Sequence, residues 1–287
     1  MTRVIVTGGS GKLGRACVAD LIQHGYETIN VDIAPPREAT CPFIQADLTQ
    51  FGEAMEVLSG VDGRHKGADA LVHLAAIPAP GRHPNAVVFR TNMLSTYNVF
   101  ESARRAKIRN IVWASSETVL GLPFDTPPPY APVDEEYAGR PETAYSLSKL
   151  LGEEMAKQFC RWDPKLKMVG LRFSNVMEPH DYARFAAFDK NPAERKWNLW
   201  SYIDARDGAQ AVRKALEAKF TGAEVFIIAN AETVMSRDNR RLLAETFPGL
   251  ALKDGVGPNE TLLSIDKAKR LLGYAPRHSW RQEVGGG

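Results

Sequence analysis

Short apolar segments alternate along the chain with longer stretches in which apolar side chains recur every three or four residues. The helical spacing occurs at Leu13, Cys17 and Leu21, and again over 86–106. The short apolar segments predict strands, and these lie at 4–6, 27–32, 43–44, 70–74, 111–114, 168–173 and 225–229. Strands that are apolar on both faces and alternate with helices form parallel sheets covered on both sides. We therefore expect an α/β protein with a doubly wound parallel sheet and right-handed crossovers.

The alternation weakens in two parts of the chain, over 175–200 and after Ala229, where prolines, aromatic residues and charges are mixed. We expect residues 1–173 with 205–229 to form the doubly wound domain. Residues 174–204 with 230–287 are expected to fold together as a small C-terminal cap that binds the substrate. Within that cap, 264–273 reads as a short helix that begins at a capping serine and ends at a glycine.

Composition narrows the class of protein. The 287 residues are 44% hydrophobic and carry a net charge of +2 without a basic run, which favours a small-molecule partner over nucleic acid or a lipid surface. Cys17, Cys41 and Cys160 show no CxxC or His-rich spacing, so we expect reduced thiols, no metal site and a cytoplasmic protein. No secretory signal or membrane-spanning segment is expected.

The first strand leads into the glycine-rich segment 7–14, which contains GxxGxxG from Gly8 and GxGxxG from Gly9. Glycine allows a tight turn, a close approach to a pyrophosphate and close packing of the next helix on the strand. A helix beginning near Lys12 would point free N–H groups at phosphates. Glycine clusters also occur in turns for conformational reasons alone, but the second strand ends at Asp32, at the spacing of a dinucleotide-binding fingerprint. A Rossmann domain is therefore predicted.

Two carboxylates are candidates for holding the dinucleotide. Asp32 would accept hydrogen bonds from the adenosine ribose and repel a 2′-phosphate, which favours NAD over NADP, although Lys12 and Arg37 are nearby cations. The alternative is a turn residue before the two prolines at 35–36. Asp47, after the third strand, could meet the adenine amino group or cap the following helix.

A tyrosine and a lysine, Tyr145 and Lys149, lie four residues apart on a predicted helix over 143–160 and so share one face. A neighbouring ammonium and an oxidised nicotinamide both stabilise a phenolate, which would make the tyrosine a usable base. This spacing is also common on helices without any function. Ser116 changes the interpretation, because it follows the fifth strand at the edge where parallel sheets bind ligands, and it could hydrogen-bond a reacting oxygen.

These motifs occur in a recognisable order: 7–14, Asp32, 73–76 (HLAA), 91–92 (TN), 115–119 (SSETV), 145–149 (YSLSK), 202–204 (YID) and 272–276 (LGYAP). The chain resembles the extended short-chain dehydrogenases, in particular the NAD-dependent epimerase/dehydratase group. The resemblance implies that Tyr145 is the acid/base, that Lys149 binds the nicotinamide ribose and lowers the Tyr145 pKa, and that Ser116 positions the substrate oxygen. Ser115 lies one residue deeper in the strand.

The resemblance also implies two further sets of residues. The implied cofactor-binding residues are Gly8, Gly11, Lys12, Leu13, Gly14, Asp32, Ile33, Asp47, Leu48, Leu74, Ala75, Ala76, Asn92, Tyr145 and Lys149. The implied substrate-binding residues are Ser116, Glu117, Thr118, Asn175 and Arg184. Tight packing is the alternative role of the two alanines, and solvent exposure is the alternative for Arg184. His73 is expected in the core, and helices 92–107 and 143–160 are the segments expected to pair two subunits.

The reaction stays open at this stage. An epimerase would retain NAD and reduce its keto intermediate, whereas a dehydrogenase would release both ketone and NADH, and both use the same groups. The first hypothesis is an enzyme acting on a hydroxyl of a sugar or nucleotide sugar. The second is a net dehydrogenase of a free sugar or uronate, favoured by Leu120, by the short chain and by a likeness of 177–200 to uronate dehydrogenases. The third is a cofactor-sensing protein without turnover. Trp197, Trp200 and Tyr202 are either sugar-stacking or core residues.

Overall fold

The fold is built on one parallel sheet. The structure is a computed structural model, and it describes residues 1–285. The strands are β1 (Arg3–Thr7), β2 (Glu27–Asp32), β3 (Phe43–Gln45), β4 (Ala70–His73), β5 (Asn110–Ser116), β6 (Tyr130–Ala131), β7 (Lys167–Phe173), β8 (Val176–Met177), β9 (Ile203–Asp204), β10 (Gly222–Ile228) and β11 (Ala251–Leu252). Seven of them form the main sheet in the order β10-β7-β5-β4-β1-β2-β3, and every pairing is parallel. The predicted doubly wound sheet is confirmed.

Helices cover both faces of the sheet. They are α1 (Lys12–Gln23), α2 (Phe51–Ser59), α3 (Asn85–Arg105), α4 (Ala144–Trp162), α5 (Phe185–Lys190), α6 (Ala205–Glu217), α7 (Asn239–Thr246), α8 (Asp266–Leu272) and α9 (Trp280–Gly285). On one face α1 packs against α6, and on the other α3 packs between α2 and α4. The strand order reverses between β1 and β4, so a crevice opens there at the carboxyl ends of the strands.

The central strands of the sheet are buried on both faces. All residues of β4 and β7 are buried, as expected where helices cover both faces of a parallel sheet. Trp113 on β5 fills the space between the sheet and α4. An added Cβ at Gly152 of α4 would lie 3.1 Å from the Trp113 ring, and one at Gly170 of β7 would lie 2.9 Å from it. The two glycines thus let α4 pack closely on the strands that end at the site.

Segments 174–204 and 230–285 pack against each other beside the sheet. Phe185 contacts the rings of Tyr202 and Trp280, and Trp200 contacts Phe247. Trp200 and Tyr202 are fully buried, which makes them core residues and excludes stacking on a sugar for these two side chains. Within these segments β8 pairs in parallel with β9, and β11 pairs in parallel with β6, which lies in the loop before α4. Residues 286 and 287 of the predicted cap lie outside the described residues.

Two predicted elements, the last strand of the main sheet and the helix over 264–273, begin at other residues than predicted. The last strand of the main sheet begins at Gly222 rather than at residue 225. The helix predicted over 264–273 begins at Asp266, where Ser264 Oγ accepts a weak 3.4 Å hydrogen bond from the Asp266 N–H, and ends at Gly273 with φ +69°. Within residues 1–285, no helix has the length and apolar character needed to cross a bilayer.

Candidate active site at the carboxyl edge of the sheet

The glycine-rich loop between β1 and α1 is shaped by close backbone contacts. Gly8 has φ +74°, and a Cβ there would lie 2.6 Å from the backbone nitrogen of Ala75. A Cβ on Gly14 would lie 2.0 Å from the Gly8 carbonyl oxygen. The helix begins at Lys12 after Gly11, which has no side chain to cap the first turn. The N–H groups of that turn are thus available to an anion such as a pyrophosphate.

Asp32 lies directly against this loop, at the end of β2. Its Oδ2 accepts a 3.0 Å hydrogen bond from the Ser10 N–H, and its Oδ1 accepts a 2.7 Å bond from the Ile33 N–H. The Ile33 side chain itself is exposed. The structure therefore brings the fingerprint carboxylate and the glycine loop together, as a dinucleotide site requires.

Two cations of the first turns of α1 are paired with acids from a distant segment. Lys12 Nζ lies 2.7 Å from Asp181 Oδ2, and Arg15 Nη2 lies 3.0 Å from Glu178 Oε1. Lys12 is one of the predicted cofactor residues, and no sequence pattern indicates its acidic partner Asp181. Because Asp181 balances the Lys12 charge, Lys12 is a poor candidate for attracting a 2′-phosphate.

The residues predicted near the adenine are held in a turn. Asp47 Oδ1 accepts hydrogen bonds from the N–H and the hydroxyl of Thr49, at 2.9 and 2.7 Å, and these bonds lower the Asp47 pKa. The next helix, α2, begins at Phe51 and its N-cap is Gln50, so Asp47 does not cap it. Leu48 is buried.

The loop after β4 runs beside the glycine loop. Leu74, Ala75 and Ala76 are partly buried there. Asn92 of α3 fixes the end of this loop, because its Oδ1 accepts a 2.8 Å hydrogen bond from the Ile77 N–H and its Nδ2 donates to the Ile77 carbonyl at 3.2 Å. Small residues fit here since the loop passes so close to Gly8.

Ser116, Tyr145 and Lys149 converge at the carboxyl edge of the sheet. Ser116 is the last residue of β5, and Tyr145 and Lys149 lie on one buried face of α4. The Ser116 hydroxyl lies close enough to the Tyr145 phenol to lower its pKa. The Lys149 ammonium lies 5.7 Å from the centre of the Tyr145 ring and donates a 2.7 Å bond to the Ala114 carbonyl. The helix bearing both residues begins with a capping box formed by Thr143 and Ser146.

Burial sets the protonation states of these groups. Burial raises the pKa of Tyr145 to about 12, the nearby Ser116 hydroxyl opposes that shift, and the Glu117 charge adds to it. Burial lowers the pKa of Lys149 to about 8. Burial and the charge of Lys149 lower the pKa of His73 to about 3. Near neutral pH the Tyr145 phenol is thus protonated, Lys149 is an ammonium and the His73 imidazole is neutral. The His73 ring forms a 2.7 Å hydrogen bond with Thr7 Oγ1 in the core.

The predicted substrate residues next to Ser116 differ in their surroundings. Thr118 donates to Ser116 Oγ through its N–H at 3.2 Å and through its hydroxyl at 3.0 Å. Glu117 is buried, and its carboxylate accepts bonds from Ser174 Oγ at 2.6 Å and from Asn198 Nδ2 at 3.1 Å. Burial raises the pKa of Glu117 to about 7. Glu117 therefore links the strand ends to segment 174–204.

Segment 174–204 contains the other predicted substrate residues and a buried arginine. Asn175 accepts a 3.1 Å bond from the Ile203 N–H through its carbonyl, which places it at the base of the segment. Arg184 is exposed. Arg195 is buried instead, donates a 2.7 Å bond to the Ser201 carbonyl and lies 4.7 Å from the centre of the Trp197 ring. Burial lowers the Arg195 pKa to about 10, and Glu117 opposes that shift. Sequence reasoning missed Arg195, which no motif marks.

A known family model covers most of the chain. A model of the NAD dependent epimerase/dehydratase family matches residues 4–229. Mouse UDP-glucose 4-epimerase is 28% identical over 220 residues, which cover 71% of this chain and 61% of the epimerase. The chain thus spans about three fifths of the length of the curated epimerases it matches.

Two other proteins match over nearly their whole length. The L-arabinose 1-dehydrogenase (NAD(P)(+)) of Haloferax volcanii is 24% identical over 285 residues, which cover 96% of this chain and 97% of that enzyme. A short-chain dehydrogenase/reductase superfamily protein from Agrobacterium tumefaciens, solved with bound NAD, superposes with a TM-score of 0.74 at 21% identity. That superposition covers 99% of this chain and 95% of the other, and it establishes the fold.

Proposed function

Since the chain belongs to the NAD-dependent epimerase/dehydratase family, as its motifs predicted, we propose that it is an oxidoreductase that uses NAD to oxidise a hydroxyl of a sugar. One observation carries the proposal. The Ser116 hydroxyl, the Tyr145 phenol and the Lys149 ammonium converge at the carboxyl edge of the sheet, beside the crevice into which the glycine loop opens. These groups supply a proton carrier, a hydrogen bond for the reacting oxygen and a positive charge.

The residues beside the crevice fit a dinucleotide. The uncapped first turn of α1 suits the pyrophosphate, and the loop of Gly8 and Gly14 leaves no Cβ in its way. Asp32 suits the adenosine ribose, and its charge disfavours a 2′-phosphate. We propose that Asp47 and Leu48 flank the adenine and that Leu74 to Ala76 line the channel toward the nicotinamide, with Asn92 holding their loop. NAD is therefore the proposed cofactor.

Ser116, Tyr145 and Lys149 have different roles in the transfer of the proton. NAD, when bound, supplies the acceptor or the donor of a hydride. Ser116 holds the substrate oxygen by a hydrogen bond, and Tyr145 removes the proton from that oxygen during oxidation or returns it during reduction. Lys149 stabilises the phenolate by its positive charge. Positioning by Ser116 and Tyr145 together selects the hydroxyl that reacts.

Burial sets the protonation state in which the isolated protein meets its substrate. A phenol with a pKa of about 12 is protonated near neutrality and ready to donate. Oxidation requires the phenolate, so it depends on the positive charge that Lys149 keeps near the ring. The pair Tyr145 and Lys149 thus acts as a unit whose charge decides how readily the phenol gives up its proton.

Two substrate classes remain, and one observation favours each. The matches to UDP-glucose 4-epimerases support a nucleotide-sugar hydroxyl. The match to L-arabinose 1-dehydrogenase supports net oxidation of a free sugar, and it covers 96% of this chain and 97% of that enzyme, whereas the match to the mouse epimerase covers 61% of that epimerase. We propose that segments 174–204 and 230–285 form the substrate-binding cap in either case. Asn175, Glu117 and Thr118 would then lie at its floor, and Arg184 at its rim.

We further propose that the protein is a cytoplasmic homodimer that pairs through α3 and α4. Leu94 and Tyr97 on α3 and Leu147 on α4 are large apolar side chains that are 43%, 46% and 39% exposed. The two helices pack against each other, so these side chains can form one apolar surface. Burial of such a surface against a second copy would remove it from water.

Substrate screening tests the proposed function. Purified protein is given NAD and a panel of free sugars, uronates and nucleotide sugars, and NADH formation is followed by absorbance. NADH formed with a free sugar or uronate supports the dehydrogenase. A tightly retained nucleotide, with interconversion of nucleotide sugars and no net NADH, supports the epimerase. A protein that binds no NADH and converts no member of the panel contradicts the proposal.

A further inference from the structure

A buried ion pair lies beneath the proposed active site, on the side of the sheet that α4 covers. Arg172 of β7 donates to Glu153 of α4 twice, from Nε to Oε1 at 2.8 Å and from Nη2 to Oε2 at 2.7 Å. The two side chains are only 5% and 4% exposed. Desolvation offsets most of the attraction within such a pair, so apolar residues would serve packing equally well. The directional bonds of the pair point to a role in geometry.

The same carboxylate also reaches the strand that carries Ser116. Glu153 Oε1 accepts a 2.6 Å hydrogen bond from Ser115 Oγ. Ser115 immediately precedes Ser116 on β5, and Ser116 of β5 is paired with Phe173 of β7, the residue after Arg172. Glu153 therefore joins α4 to two adjacent strands directly behind the reacting groups.

Three successive turns of α4 contact three consecutive residues of β5. Tyr145, Lys149 and Glu153 are spaced four apart and lie on one face of the helix. Tyr145 lies beside the Ser116 hydroxyl, Lys149 donates to the Ala114 carbonyl, and Glu153 accepts from the Ser115 hydroxyl. Glu153 is the member of this series that lies farthest from the reacting oxygen.

Apolar packing alone leaves part of this geometry undetermined. The contact of Trp113 with Gly152 sets how closely α4 approaches the sheet, because an added Cβ would lie 3.1 Å from the ring. Van der Waals contact of this kind has little directionality, so it restrains rotation about the helix axis and sliding along it only weakly. Charge-assisted hydrogen bonds to fixed strand residues are directional and restrain both.

We infer that Glu153 is a positioning residue that, held by Arg172 and Ser115, fixes the rotation and height of α4 so that Tyr145 meets Ser116. The inference rests on the proposed function and adds to it a group that acts through Tyr145 and Lys149. A displacement of a reacting group by about 1 Å can lower a rate by about 100-fold. The bonds of Glu153 therefore matter for the rate more than for binding.

Ser115→Ala is the mildest test, because it removes one bond of Glu153 and leaves the ion pair in place. We expect kcat to fall by about tenfold or more while KM and the NADH dissociation constant stay unchanged. The matched control is Ser102→Ala on α3. In the part of the chain that the structure describes, the fully buried Ser102 hydroxyl has no hydrogen-bond partner, so this variant should keep wild-type kcat. Wild-type kcat in Ser115→Ala would overturn the inference.

A second variant separates positioning from packing. Glu153→Met with Arg172→Met removes both charges together, which avoids leaving one charge buried alone. We expect a folded protein that binds NADH like the wild type and turns over more slowly. Wild-type turnover in this double variant would show that the pair serves packing only.

A crystal structure of the double variant gives a readout that needs no substrate. We expect the Tyr145 ring to shift by about 1 Å relative to Ser116. An unchanged separation would overturn the inference even if the wild type oxidised no sugar. Conversely, suppose that the Tyr145 ring shifts in the double variant while the wild-type protein converts no sugar. That result would contradict the proposed function and leave the positioning role of Glu153 supported.

Discussion

The ammonium of Lys149 lies 5.7 Å from the centre of the Tyr145 ring. Burial acts on the two groups in opposite directions, raising the pKa of Tyr145 to about 12 and lowering that of Lys149 to about 8. Both shifts favour the neutral form. As the pH rises, Lys149 therefore loses its proton before Tyr145 does. The Tyr145 phenol is then left without the nearby positive charge.

The first prediction concerns the pH dependence of the reduction direction. Tyr145 stays protonated far above neutrality, so Lys149 is the group of this pair that titrates first. We expect kcat/KM for reduction of the keto product with NADH to be level below about pH 8 and to fall above it, as the ammonium loses its proton. The Lys149→Met variant should have a low kcat/KM that does not fall further above this pH. A wild-type profile that stays level well beyond this pH would contradict the assignment.

The second prediction concerns cofactor choice. Asp32→Ala removes a ribose acceptor and a charge that repels a 2′-phosphate, so NAD binding should weaken by about tenfold and relative use of NADP should rise. Fluorescence titration with NADH and NADPH measures both. Asp62→Ala is the control, because Asp62 is exposed and precedes β4 at the opposite edge of the sheet. An unchanged ratio of the two affinities would remove Asp32 from the site.

The third prediction concerns stability and pH. The folded protein raises the pKa of Glu117 to about 7, above its ordinary value of about 4.3 in an unfolded chain. The folded state therefore holds this proton more tightly. The resulting stabilisation is fully present below about pH 4, and it is lost as pH rises through about 7, by up to about 3 kcal/mol.

Glu117→Gln should flatten that loss, since glutamine cannot ionise and Asn198 can turn its unpartnered Oδ1 toward the new amide. Urea unfolding at pH 5 and pH 8 compares the two proteins, with Glu56→Gln on the exposed face of α2 as the control. Parallel changes in the free energy of unfolding for wild type and Glu117→Gln would show that Glu117 is not the buried acid responsible.

The fourth prediction concerns assembly. Leu94→Glu places a charge on the exposed apolar surface of α3 and should convert a dimer into a monomer. Sedimentation measures the mass, and Leu271→Glu, an exposed position on α8, should leave the mass unchanged. A wild-type protein that sediments as a monomer would dismiss the proposed pairing.

The sequence predicted the sheet well because most strands contain a short apolar run, and β2 has the predicted bounds of 27–32 although polar residues interrupt it. It did not predict α5 and α7, which are short and lie where prolines and charges interrupt the apolar spacing. The aromatic cluster around Phe185 and Trp280 joins segments far apart in the chain. Such contacts leave no local pattern to read.

The same distinction holds for the site. Tyr145 and Lys149 share a helix face, so their spacing alone predicted that they point together. The partner of Lys12 is Asp181, which lies 169 residues away, and no motif connects them. Glu153 continues the four-residue spacing after Lys149, so its place on the face was readable, but its bond to Arg172 depends on the pairing of β5 with β7.

Tyr145→Phe is the measurement that tests the central claim most directly, with Tyr97→Phe on the exposed face of α3 as its control. The substitution removes the proton carrier and leaves the ring, so turnover of the best sugar should fall by about 100- to 10,000-fold while NADH affinity stays at the wild-type value. Substantial turnover in Tyr145→Phe would contradict the assignment of Tyr145 as the group that moves the proton.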